Sequence, residues 1–197
     1  MTIQETFIKA DETLNNVVAQ IKEGQWDMQM PKSFIMNATD SKISTLRDVI
    51  NYHAYDEAWV PDMLAGKTME EVGKEKYDGD LLGKNPKENF AALVKESVDA
   101  AHKLPSLKRV VHYSYGDYLA DEALGHAIIF RGFRAHDLAK VIGINSDLPA
   151  DLVQAMWNII EPQAESLREM GVFPPKVEVP DDAPLQERLL GLSGRKP

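Results

Sequence analysis

The stretch Asp117-Tyr-Leu-Ala-Asp-Glu-Ala-Leu-Gly-His-Ala-Ile-Ile-Phe-Arg-Gly-Phe-Arg-Ala-His-Asp-Leu-Ala-Lys-Val-Ile-Gly143 decides the fold. Its apolar residues, Ile128, Ile129, Phe130, Phe133 and Leu138 among them, fall on most sides of a helical wheel. A helix that is apolar nearly all round must be enclosed by others. The spacing therefore predicts a central helix from about Asp117 to Ile142, with Gly143 as its stop signal.

The segments around it supply helices to enclose it. Ile3, Phe7, Ala10, Leu14, Val17, Val18 and Ile21 recur at helical spacing. Thr2 with Glu5 matches a capping box, and Gly24 reads as the stop. A loop containing Trp26, Pro31 and Asn37 follows. Ser44 can cap a second helix that carries Leu46, Val49, Ile50 and His53 on one face, weakens near Pro61 and ends at Gly66. Residues 67–85 read as irregular. Asn85-Pro86 with Glu88 starts a third helix bearing Phe90, Leu93, Val94, Val98 and Ala101, which stops before Pro105. Val110–Tyr115 is β-leaning but short, and reads as an extended linker into the long fourth helix. Asp147 and Pro149 open a fifth helix through Met170, bent near Pro162; an extended tail, Val172–Pro180, precedes a short last helix from Leu185 to Leu190.

Long helices joined by loops, with no repeat and no strand–helix alternation, point to an all-α, up-and-down four-helix-type bundle. The expected organisation is a single domain over 1–197, with a bundle core of about 2–171 and a C-terminal extension of 172–197.

Composition narrows the function. A formal charge of −9 opposes non-specific nucleic-acid binding, which needs a basic surface. The one compact basic stretch, with Lys103, Lys108 and Arg109, reads as a solvated loop. No apolar run is long enough to span a bilayer. Cysteine is absent, which removes disulfides, thiolate nucleophiles and Cys-held metals. With no basic leader at the N-terminus either, a cytoplasmic protein is the expectation.

Among five histidines, His53 stands out because it shares the apolar face of the second helix. A buried imidazole is costly unless both nitrogens find partners. It is read either as a satisfied core histidine or as a metal or substrate ligand. In the fourth helix Glu122, His126, Phe130 and Arg134 are spaced by four and share a stripe. Glu122 and His126 are a weak alternative metal pair. Arg134 needs a carboxylate or phosphate if buried, supplied internally by Glu57 or Asp56 or externally by an anionic ligand. No nucleophile elbow, P-loop, dinucleotide fingerprint or His-Glu-x-x-His motif occurs.

The segments Leu46-Arg-Asp-Val-Ile-Asn-Tyr-His53, Glu57-Ala-Trp-Val-Pro61, Asp78-Gly-Asp-Leu-Leu-Gly83, Asp137-Leu-Ala-Lys-Val-Ile-Gly143 and Ala183-Pro-Leu-Gln-Glu-Arg-Leu-Leu-Gly191 resemble, in order, the mycothiol-dependent maleylpyruvate isomerase-like group of the DinB-like helical-bundle superfamily. The resemblance implies a bundle with one divalent metal, zinc or nickel, on three side chains, activating a low-molecular-weight thiol. Its second-helix histidine maps onto His53, and its other two ligands map onto Phe130 and Arg134. Phenylalanine has no donor and arginine stays protonated, so the resemblance carries over one ligand of three and no cofactor is expected. His136, two residues beyond Arg134, points about 200° away around the helix and is a strained substitute.

Three functions compete. The first is a divergent, metal-free member binding a small anionic molecule between the second and fourth helices, in a pocket of His53, Glu57, Phe130 and Arg134. The second is a metal-dependent thiol transferase or isomerase. The third is a non-enzymatic structural or interaction bundle. A homodimer is expected by superfamily analogy alone.

Overall fold

Helix signals in the chain are mostly honoured in a computed structural model that describes residues 1–31 and 44–197. The fold is mostly helical, with one small two-stranded sheet. Asn37, expected in a loop, lies outside the described residues. Among the described residues no helix is long and apolar enough to cross a membrane. The chain divides into two compact units, Leu14–Ala123 and the combination of Met1–Thr13 with Leu124–Pro197. The divisions fall inside two helices, α1 (Ile3–Val18) and α5 (Ala120–Ile142).

The unit Leu14–Ala123 is organised by α2 (Leu46–Leu64) packed on α4 (Pro86–His102). Thr45, not Ser44, is the N-cap of α2: its hydroxyl accepts from the Asp48 amide at 3.2 Å, and the Asp48 carboxylate accepts from the Thr45 amide at 2.9 Å. Ser44 contributes its own amide to the same carboxylate. The helix does not weaken at Pro61. Val60, Asp62, Met63 and Leu64 are all buried, so packing holds the last turn although proline gives up one backbone bond. Leu46, Val49, Ile50, Ala54 and Ala58 of α2 and Phe90, Val94 and Ala101 of α4 form the apolar core here.

Val110–Tyr115 is not a linker. Val110–Tyr113 (β1) pairs antiparallel with Gly116–Leu119 (β2), in the register Val111 with Tyr118 and Tyr113 with Gly116. The turn is Ser114–Tyr115, and Gly116 takes a φ of +153°, which side-chain-bearing residues rarely adopt. The strand continues without a loop into α5, which therefore begins at Ala120 rather than near Asp117.

In the other unit α5 is followed by α6 (Ala150–Ile160), a 3-10 turn at Glu161–Gln163, α7 (Ala164–Glu169) and α8 (Leu185–Leu192). The break between α6 and α7 sits at Pro162, where a bend is expected. Gly132 of α5 lets α6 approach: a Cβ there would strike the thioether of Met156. The extended tail packs on α8 at Gly191, where a Cβ would meet Val179 and the Val177 carbonyl. Arg195 folds back over the Phe133 ring at 4.1 Å and pairs with Asp137 at 3.1 Å. Asp11 of α1 and Arg131 of α5 form an ion pair with both side chains almost wholly buried, and the Arg131 guanidinium lies 5.1 Å from the Phe7 ring centroid.

Removing one member of such a pair strands the other. Asp11→Ala should lower the unfolding free energy by about 3–5 kcal/mol, read from urea denaturation. The double change Asp11→Leu with Arg131→Met should recover most of that loss.

Candidate functional site

The residues singled out from sequence fall into two pairs, each one helical turn apart. His53 and Glu57 share the buried face of α2, His53 being 1% exposed and Glu57 fully enclosed. The rotation of about 100° per residue brings i and i+4 to one side of a helix, which is why Leu46, Val49 and Ile50 flank the same face. The Tyr52 ring meets the His53 imidazole edge to face at 6.2 Å. Asp56, the other acid considered for Arg134, is half-buried.

On α5, Arg134 is 8% exposed and Phe130 is half-buried. The guanidinium lies 5.6 Å from the Phe130 ring centroid, within the range of a cation–π contact. The planar ring restricts the orientation of the planar fork. Glu122 is exposed and His126 half-buried, so that pair begins on the solvent side of the helix.

A three-ligand metal of the resembled kind does not fit these residues. Phe130 and Arg134 offer no lone pair at the corresponding positions. Among the described residues no three His, Asp or Glu side chains converge.

Sequence reasoning missed the chemistry of the hairpin. His112 and Asp117 face each other across the two strands, with Nδ1 and Oδ1 at 2.7 Å. Tyr113 and Tyr115 stack at 4.9 Å with an interplanar angle of 11°, and Tyr118 leans on both. The Tyr115 phenol is pushed up, first by local desolvation and then by Tyr113, Tyr118 and Asp56, although the residue as a whole is 61% exposed. The cluster of tyrosines at 113, 115 and 118 was the available signal.

Asp62, near the end of α2, gathers three side-chain donors on one carboxylate. It accepts from Lys67 Nζ at 2.8 Å, Lys76 Nζ at 2.7 Å and the Tyr77 hydroxyl at 2.8 Å. Desolvation alone would raise its carboxyl; the three donors outweigh that and hold it well below the usual carboxylate range.

His136, considered as a substitute ligand, is committed elsewhere. Its Nδ1 lies 2.9 Å from the Ser146 carbonyl, which can only accept, so that nitrogen carries the proton. Gln186 reaches the same carbonyl at 3.3 Å and accepts from the Leu148 amide at 2.7 Å, tying the loop after α5 to α8.

Compared with models of known families, with curated proteins and with solved structures, the chain matches none.

Burial pushes the His136 imidazole below its ordinary value of 6.5, against the opposing pull of the Ser146 carbonyl. The unfolded chain then binds the proton more readily. The associated stability is present above pH 6.5 and is lost as pH falls from there through the folded-state value. Urea midpoints measured between about pH 7 and pH 5 should fall with pH, and His136→Gln should flatten that slope.

Proposed function

We propose that this chain binds a small anionic molecule, with Arg134 as the group that holds it, and that it is a divergent, DinB-like relative of the maleylpyruvate isomerase-like proteins. One observation carries the reading. A permanent cation is buried and oriented by the Phe130 ring, at a position onto which the resemblance maps a metal ligand. A guanidinium supplies fixed positive charge without a metal. Its two parallel N–H groups match a carboxylate or phosphate in a way that an ammonium does not. Low exposure keeps the local dielectric low and strengthens that attraction.

His53 enters as the control. It occupies the one position where the resemblance carries over a metal ligand, and it lies in the core of α2 with Glu57 one turn further on. Purified protein incubated with zinc or nickel and then desalted should retain no stoichiometric metal. Near-stoichiometric retention that disappears in His53→Ala would overturn the metal-free reading in favour of a thiol transferase or isomerase.

Calorimetric titration with a panel of small carboxylates and inorganic phosphate tests the anion directly. Arg134→Ala should weaken the best binder by at least about tenfold, and Arg134→Lys should recover only part of it. Unchanged binding in a folded Arg134→Ala protein would sink the assignment. Failure of both variants to fold, alongside wild-type protein that binds no member of the panel, would make Arg134 a structural residue of a non-enzymatic bundle.

A further inference from the structure

Between Gly66 and Gly79 the chain lies along the C-terminal half of α2 without a single buried residue of its own. This segment contains only the one-turn helix α3 (Met69–Val72), and four backbone bonds of its own, such as Gly73 to the Met69 carbonyl at 2.9 Å. Gly66 and Gly79 have φ of +74° and +107°, so both ends are at positions where the backbone turns on glycine. Beyond Gly79 the chain is pinned firmly. Asn51 donates to the Gly79 carbonyl and accepts from the Leu81 amide, each at 2.8 Å. Arg47 donates to Asp80 at 3.0 Å and to the Gly83 carbonyl at 2.7 Å, and Leu82 is fully buried. Before Gly66, the Arg109 guanidinium caps the end of α2 through the Ala65 carbonyl.

Apart from the Lys67 amide, which donates to the Asp62 carbonyl at 3.1 Å beside the Gly66 hinge, the segment between these anchors is held by one clip. Lys67, Lys76 and Tyr77 all donate to the Asp62 carboxylate, and the Tyr77 ring stands edge-on over Trp59 at 5.0 Å. The lysines are about half-exposed. Beneath lies the Trp59 indole, whose Nε1 is buried and has no hydrogen-bond acceptor among the described residues. A buried donor with no acceptor destabilises the closed arrangement, because opening gives it water. Polar attachment, no buried apolar side chain and hinge glycines are the physical marks of a segment that opens independently of the fold around it.

We infer that residues 67–78 form a flap, hinged at Gly66 and Gly79 and latched by Asp62, which opens as a unit and exposes the Trp59 indole to solvent or to a ligand with a hydrogen-bond acceptor. Beyond the Lys67 amide at its hinge end, the latch is side-chain chemistry, so it can be released without disturbing α2 or α4.

Hydrogen exchange on the full chain tests this, followed by mass spectrometry for backbone amides and by NMR for the indole N–H of Trp59, assigned through Trp59→Phe. In the wild type, amides of 67–78 and the Trp59 indole should exchange together, well ahead of the amides of α4. Tyr77→Phe removes one latch bond and keeps the ring on Trp59; it should speed both by roughly tenfold, and Asp62→Asn by more, with α4 unchanged. Exchange of 67–78 at the same rate as α4 in the wild type would overturn the flap. So would a Tyr77→Phe effect spread evenly over the chain. Should Asp62→Asn not fold, Tyr77→Phe and Lys76→Met carry the test.

Discussion

Asp11 and Arg131 sit where water does not reach, and their attraction has to offset the desolvation of both. That pair sets the register of α1 on α5 in its unit, because a carboxylate and a guanidinium tolerate far less sliding than two leucines do. Phe7 stacks on the same guanidinium, so one cation orders an aromatic ring and an acid together. Gly132, the next residue, then fixes where α6 crosses by admitting Met156 against the helix backbone. At the far end Arg195 repeats the device, resting on Phe133 while it pairs with Asp137. Apolar area drives these helices together, but it is non-directional; the buried cations choose among the ways of packing it.

In Leu14–Ala123 the same division of labour separates two regions of very different firmness. Where α2 meets α4, Leu46, Ile50 and Phe90 are completely buried and Val94 nearly so. Where the chain passes over the end of α2, nothing apolar is buried until Leu82, and polar bonds to Arg47, Asn51 and Asp62 do the holding. Each such bond exchanges a bond to water for one to protein, so its net contribution is small unless the geometry is shielded. Asp62 is shielded and its lysines are not. The result is a segment that is fixed in place yet weakly so.

The legible part of this fold was the part governed by period. The apolar spacing of Phe7, Ala10 and Leu14, and of Ile128, Phe133 and Leu138, reads directly as helix, and so does the burial of His53 among Val49 and Ile50. The Thr2–Glu5 capping box is formed as expected, with the Thr2 amide 2.7 Å from the Glu5 carboxylate. The hairpin was not legible because its turn lacks the usual chemistry. Two-residue hairpin turns favour Asn-Gly or Gly at positive φ. Here Ser114 and Tyr115 fill the turn with no positive φ, and the permissive glycine comes one residue later. Pro61 misled for a related reason: propensity is local, while the burial of Met63 and Leu64 that overrides it is not. The pairing of Asp62 with Lys67, Lys76 and Tyr77 joins residues up to fifteen apart through an irregular segment, where no period exists to read.

His53 and Glu57 place two ionisable groups on the buried face of α2. A helix face enclosed to this degree would pack as well with leucine and methionine, and replacing buried ionisable groups by apolar ones of similar volume is often neutral or stabilising. Arg134 is a third such group, on α5, one turn from Phe130. Asp11 and Arg131 are each other's counter-charge and together fix a helix register. What an imidazole adds to such a face that leucine does not is a polar group able to donate and to accept a hydrogen bond at once.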